Sequence, residues 1–379
     1  MDERFASIRP YNDIEVKPVL TRLRADPELL DSLLALRLGA SWRPFGWLFR
    51  PFVKWILMYQ LRGVESVQAI QLLIRQYMDR MVARTTAGFT ASGLEKLSDG
   101  PYLFVSNHRD IALDPAFTNY ALHRMNRVTC RIAIGDNLLS KPWISDLMRL
   151  NKSFIVRRTL AGPRQLLEAS KLLAAYIECS LQKDGQPVWI AQREGRAKDG
   201  LDRTEPAVIK MLLLGRDKSE PLGDAVRRLN IVPVSIAYEL DPCDALKAHE
   251  LATLDQEGDY HKAEHEDASS IARGIAGAKG RVHIAFGEPL VKEFSTIAEI
   301  VAEIDRQVIG NYRLHPTNLW AWERLNPGKA LPDNLVIADG SIPRDQFERR
   351  IVELPEMDQK KVLHMYANAV SQALAFRGV

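Results

Sequence analysis

Residues 101 to 125, "PYLFVSNHRDIALDPAFTNYALHRM", carry an apolar run into a polar turn and then into a helical stretch opened by Asp114 and Pro115. A short run rich in Tyr, Phe and Val bounded by polar residues predicts a buried strand. Asp followed by Pro suits a helix start, with Asp114 as the N-cap. The same strand, turn and helix sequence recurs downstream. "CRIAI", "SFIVRR", "PVWIAQ", "NIVPVSIAYEL" and "RVHIAF" read as further strands. Between them "KPWISDLMRL", "AGPRQLLEASKLLAAYIECSLQKDG" and "AVIKMLLL" read as helices, the second stopping at Gly185. Such alternation predicts an α/β fold, a mostly parallel central sheet flanked by helices. Functional groups in such sheets gather where strands end.

Outward from this core the pattern changes. Residues 16 to 85 read as helices, with Val67, Ile70, Ile74, Tyr77, Met78 and Met81 on one apolar face. Beyond Pro316 the chain is helical and punctuated by prolines, ending in "DQKKVLHMYANAVSQALAF". The expected organisation is a helical N-terminal region over 1–87, an α/β domain over 88–315 and a helical C-terminal tail over 316–379. Residues 241 to 280 are charged and Gly-rich without periodicity, so they read as an inserted surface excursion.

The bulk numbers exclude several classes. Of 379 residues 46% are apolar and 26% charged, an ordinary globular mix rather than a disordered one. A net charge of +3 supplies no global field for nucleic acid. The three cysteines, Cys130, Cys179 and Cys243, are too widely spaced for a CxxC motif and point to a reducing cytosol. "MDERFASIRPYND" lacks the apolar region of a signal peptide. No run approaches the roughly 18 apolar residues of a membrane span. "WRPFGWLFRPFVKWILMY", residues 42 to 59, nevertheless interleaves seven aromatics with Arg43, Arg50 and Lys54. That mixture suits a membrane-surface anchor, which predicts a cytoplasmic protein peripheral on the inner face of a membrane. The alternative is a buried hairpin broken at Pro44 and Pro51.

His108 stands at the end of the opening strand with Asp110 and Asp114 close behind. A neutral imidazole removes a proton from a hydroxyl when a carboxylate on its other nitrogen fixes the tautomer, which is worth ~10²- to 10⁴-fold in rate. Two later strand ends carry cations: Arg157 and Arg158, then Glu194, Gly195, Arg196 and Lys198. Arginines hold phosphate through paired hydrogen bonds, and a glycine allows close backbone approach. A rival motif is "HKAEH" at 261 to 265, which matches the H-x-x-E-H pattern of some zinc proteases. Its acidic, polar surroundings offer no apolar face to seat a metal-bearing helix.

The blocks "NHRDIALD", "SFIVRR", "REGR" and "IVPV", in this order over residues 107 to 234, resemble those of the glycerolipid acyltransferases. "TASGLEKL" before the first strand and "FGEPL" at 286 to 290 extend the likeness. The family places four residues between histidine and aspartate; here Leu113 holds that position and Asp114 lies one further on, so a one-residue insertion is expected, with Asp110 the competing partner. Arg193 and Ala197 stand where the family commonly has proline and serine. The resemblance implies acyl transfer from acyl-CoA or acyl carrier protein to a glycerol phosphate or lysophospholipid hydroxyl, with 1-acylglycerol-3-phosphate the expected acceptor. His108 is then the base and Asp114 its partner. Arg157, Arg158, Arg196 and Lys198 hold the acceptor phosphate, and Glu194 and Gly195 shape its pocket. Asn107 and Arg109, flanking the base, join the substrate-binding set. No metal or organic cofactor is implied. Alternatives are glycerol 3-phosphate as acceptor, or a lipid-binding module without catalysis.

Overall fold

A computed structural model describes residues 2–38, 46–139, 141–263 and 266–377. Seven strands are formed: β1 (Gly88–Ser92), β2 (Leu103–Ser106), β3 (Arg131–Gly135), β4 (Ser153–Val156), β5 (Val188–Ala191), β6 (Ile231–Tyr238) and β7 (Arg281–Phe286). The chain divides into two compact units, Met1–Tyr77 with Arg131–Leu172, and Met78–Cys130 with Leu173–Val379.

In the first unit β3 and β4 pair in parallel, Ala133 opposite Phe154. Its core joins Val16, Val19, Leu20 and Leu23 of the helix Asp13–Ala25 to Leu29, Ile70 and Leu150. A buried carboxylate, Asp146, ties helix to helix by accepting from Tyr11 Oη at 2.6 Å and Arg22 Nη2 at 2.9 Å. Residues 46 to 60 of the aromatic-basic segment form one helix, Gly46–Gln60, running through Pro51, so this part is not a hairpin. Trp47, Phe52, Trp55 and Tyr59 are 58–70% exposed, and Phe52, Trp55 and Tyr59 stack in succession along it. Residues 42 to 45 lie outside the described residues. Tyr77 departs from the expected apolar face: it is half exposed and donates to Gln60 at 3.0 Å.

In the second unit the strands run in the order β1, β7, β6, β2, β5, parallel at every step except β6 with β7. β2 and β6 are buried along their whole length, which explains their near-continuous apolar sequence. Ser106 pairs with both Ala191 and Val234, so β2 and β5 end side by side. On one face Leu113, Phe117 and Tyr120 of the helix Leu113–Arg124 pack on Ile236, Tyr238 and Val282. The C-terminal helix Glu356–Arg377 is no tail: Val362, Leu363, Tyr366 and Val370 share a core with Leu240, Leu314, Trp322 and Phe347.

Residues 241 to 280 are not an irregular excursion but hold two helices, Asp244–Glu257 and Glu266–Ala276. The first buries Asp244, Lys247, Ala248 and Ala252. Small and charged residues in an interior leave no apolar stripe to read. β1 likewise escaped the strand pattern because its sequence, GFTAS, is small and only partly buried. Across both units the class is the expected one, parallel strands flanked by helices with helical segments at each end of the chain.

Candidate active site

His108 leaves β2 at the point where the parallel strands end and the chain turns towards the helix Leu113–Arg124. Its Nδ1 lies 3.0 Å from Asp114 Oδ2. A carboxylate oxygen only accepts, so Nδ1 carries the proton and Nε2 presents its lone pair. The same Oδ2 accepts from the amides of Arg109 at 2.6 Å and Asp110 at 2.9 Å, and Oδ1 from Tyr238 Oη at 2.8 Å. Asp114 is wholly buried, and these donors replace the water it has lost. The edge of Trp189, on neighbouring β5, meets the imidazole with ring centres 6.0 Å apart.

Asp114 is not the helix cap. The helix begins at Leu113, and Asp110 Oδ1 accepts from the amides of Ala112 and Leu113 at 2.9 and 2.8 Å. The two aspartates therefore divide the work: Asp110 forms the turn, and Asp114, one residue later than the usual spacing, reaches His108. Burial first, and then the charge of Asp114, raise the Asp110 carboxyl above its ordinary range.

Asn107 and Arg109 both bond into the frame around the strand ends. Asn107 accepts from Ile236 N at 2.8 Å and donates to Ile236 O and to Asp202 Oδ2, both at 3.1 Å, locking β2 to β6. Arg109, 6% exposed, pairs with Asp202 at 2.5 Å and covers the Tyr312 ring at 5.2 Å.

The Glu194 to Lys198 segment follows β5. Gln192 N donates to Ser106 O at 2.7 Å, and Ala197 N donates to the His108 carbonyl at 2.7 Å, which stitches this loop to the histidine. Arg196 is buried, and among the described residues its Nη1 meets no acceptor. The Trp189 indole N–H, Gln192 Nε2, Arg193 Nε and Arg109 Nε are buried in the same condition, so among the described residues several donors around these strand ends remain for an oxygen-rich ligand. Gly195 is exposed with φ +72°. Glu194 is exposed and its amide donates to Glu205 at 3.2 Å. Lys198 is spent on an ion pair with Glu250. Arg157 and Arg158 belong to the first unit, exposed just beyond β4; the Arg158 amide donates to Asp136 at 3.1 Å.

Sequence reasoning missed Tyr238 and Asp202. Tyr238 shares a face of β6 with Ile236, and a tyrosine on a buried strand needs a hydroxyl partner, which was a usable signal. Asp202 had none, since its partners Asn107 and Arg109 lie more than ninety residues away. In "HKAEH", His261 is 93% exposed beside Asp259, while Glu264 and His265 lie outside the described residues. Among the described residues no group of three or more His, Cys, Asp or Glu is placed to hold a metal ion.

Residues 88–212 match the profile of the family described as Acyltransferase. The chain is 22% identical over 285 residues to dihydroxyacetone phosphate acyltransferase from Bos taurus, a match covering 75% of this chain and 36% of that protein. It thus spans about a third of the length of that curated relative. Among solved structures, the 1-acyl-sn-glycerophosphate (LPA) acyltransferase PlsC from Thermotoga maritima aligns with a TM-score of 0.40 at 15% identity, over 77% of this chain and 94% of that one.

Proposed function

We propose that the chain, whose residues 88–212 match the Acyltransferase family, is a glycerolipid acyltransferase that moves a fatty acyl group from an acyl thioester to the hydroxyl of a phosphorylated glycerol acceptor. The observation that carries this reading is the His108 and Asp114 pair at the end of β2. His108 Nε2 takes the acceptor proton as the oxygen attacks the thioester carbonyl. Asp114 steadies the imidazolium that forms, and the proton then passes to the departing thiolate as the carbon–sulfur bond breaks. No acyl-enzyme is needed. In this reading Arg196 binds the acceptor phosphate, supported by its buried Nη1 that meets no acceptor among the described residues, and Gly195 lets the chain turn close to it. Arg157 and Arg158 enter the phosphate role through the family resemblance. Lys198, held by Glu250, supports the loop.

The acceptor proposed is 1-acylglycerol-3-phosphate, and the donor acyl-CoA or acyl carrier protein. A second reading, an unacylated acceptor such as glycerol 3-phosphate or dihydroxyacetone phosphate, is favoured by the likeness to the bovine dihydroxyacetone phosphate acyltransferase. The exposed aromatic face of Gly46–Gln60 supports docking at a membrane surface, where lipid acceptor and product reside. Among the described residues no helix is long and apolar enough to cross a membrane. The deciding experiment incubates the purified chain and its His108→Ala variant with paired donors and acceptors and identifies products by mass spectrometry. Acylated product that requires His108 supports the mechanism; equal product from both proteins rejects it. The acceptor consumed with the higher kcat/KM chooses between the readings.

A further inference from the structure

On the sheet of the second unit, Ile236, Tyr238 and Val282 face the helix that carries Asp114. Side chains alternate along strands, so His283 and Ala285 of β7 point to the opposite face. There, Thr90 and Ser92 hydroxyls of β1 flank the His283 ring at 2.7 and 3.0 Å. Beside them opens a cavity of about 640 Å³, walled by Ile309, Leu314 and Phe376 and edged by Arg313 and Arg377. A smaller hollow of about 70 Å³ shares His283 and Arg313 with it and adds Arg281 and His315. The large chamber falls within the size range of small-molecule sites, roughly 300–1,000 Å³. The small hollow is enough for a compact head group.

The charges in these two spaces are lopsided. Among the described residues lining them, Arg281, Arg313 and Arg377 meet one carboxylate, that of Asp339, while the Glu239 carboxylate lies behind, accepting from Arg281 N at 2.7 Å. Arg313 reaches the Thr90 hydroxyl at 3.5 Å, a long contact that leaves its guanidinium largely uncommitted. Arg377 donates one bond, at 2.6 Å, to Asn334 O. His283 is 4% exposed, and burial holds it down to about 4, so its ring is a neutral hydrogen-bonding wall and the cationic character comes from the arginines.

We propose that this double cavity is a binding site for a single-chain anionic amphiphile, distinct from the His108 site. A compact oxyanion head sits among Arg281 and Arg313, and the aliphatic tail lies along Ile309, Leu314 and Phe376. Guanidinium groups select phosphate or carboxylate oxygens through paired N–H donors, and the apolar wall rewards a tail that a free ion lacks. The head chemistry is shared by a phosphomonoester lipid and a free fatty acid.

The test is calorimetric titration of the full chain with octyl phosphate, decanoate and inorganic phosphate, using uncharged octyl glucoside as the control. Each runs against wild type, Arg196→Gln, Arg313→Gln and Ala373→Trp, with thermal melts confirming that the variants are folded. The expected result is a binding event for an anionic amphiphile that survives Arg196→Gln and weakens tenfold or more in Arg313→Gln. Ala373→Trp, which fills the tail chamber and keeps every arginine, is expected to lower affinity for the amphiphile but not for inorganic phosphate. Preference for octyl phosphate marks a phosphomonoester lipid as the source; preference for decanoate marks a fatty acid. Binding unchanged in both Arg313→Gln and Ala373→Trp, or octyl glucoside binding as tightly as the charged probes, overturns the proposal.

Discussion

At the scale of single residues, the chemistry turns on which aspartate serves His108. Asp114 accepts from His108, two amides and Tyr238, whereas Asp110 accepts from the amides that start the helix. Removing the base by His108→Ala is expected to lower kcat by ~10²- to 10⁴-fold. Asp114→Asn is expected to approach that loss, because an amide substitutes a donor for the acceptor the tautomer requires. Asp110→Asn keeps the capping oxygen and removes a buried charge, so it should leave kcat within a few-fold and stability undiminished; a loss matching that of Asp114→Asn would exchange their roles. Tyr238→Phe strips Asp114 Oδ1 of its hydroxyl donor. A hydrogen bond to a charged group contributes ~1.5–3 kcal/mol, so steady-state kinetics should show kcat reduced about tenfold with the fold intact. The His108–Asp114 contact was legible because the two residues lie six apart, within one strand-to-helix turn. Tyr238 and Asp202 were not, because a contact closed by the sheet or by a long loop leaves no mark in local sequence.

Elements were legible where burial imposes periodicity. The near-continuously apolar β2 and β6 announced themselves, while β1 and the helix Asp244–Glu257, built on Thr, Ser, Ala and Lys, did not. The loop after β5 shows how elements position a site. Its far end is held by the C-terminal helix: Gln372 exchanges two hydrogen bonds of 2.8 Å with the Asp202 backbone, and Asn368 donates to Asp199 O at 2.7 Å. Gly200 lies between these anchors with φ +76°, and a Cβ there would sit 1.9 Å from Met365 O. Gly195 has φ +72° but open space around it. Gly195→Ala is therefore expected to cost only backbone strain, ~1–2 kcal/mol. Gly200→Ala must also push loop and helix apart, so thermal melts should show the larger loss there, accompanied by a raised KM for the acceptor. Equal melting temperatures for the two variants would mean that the helix does not clamp the loop.

For the whole molecule, pH dependence follows from groups buried in the uncharged state. Burial first holds His283 and His315 down to about 4 from an ordinary 6.5, with Arg313 adding to it at both and the Glu239 carboxylate opposing it at His315. Between those values these two histidines together bind up to two more protons in the unfolded chain than in the folded one, so their contribution to stability falls as pH drops from 6.5 towards 4. The full effect approaches roughly 3 kcal/mol per histidine. Carboxylates act elsewhere on the scale. Glu303, held at about 2 chiefly by Arg306 against its own desolvation, loses its stabilisation only as pH falls below its ordinary 4.5. Asp110 and Asp202, raised above all by burial, work in the opposite sense: their contribution is present at low pH and lost as pH rises through their folded values. The window from 6.5 to 4.5 therefore isolates the histidines from Glu303. Urea unfolding across it should show the midpoint falling in the wild type and falling less steeply in His283→Gln, which preserves a polar partner for Thr90 and Ser92. Parallel lines for the two proteins would place the acid sensitivity outside this cluster.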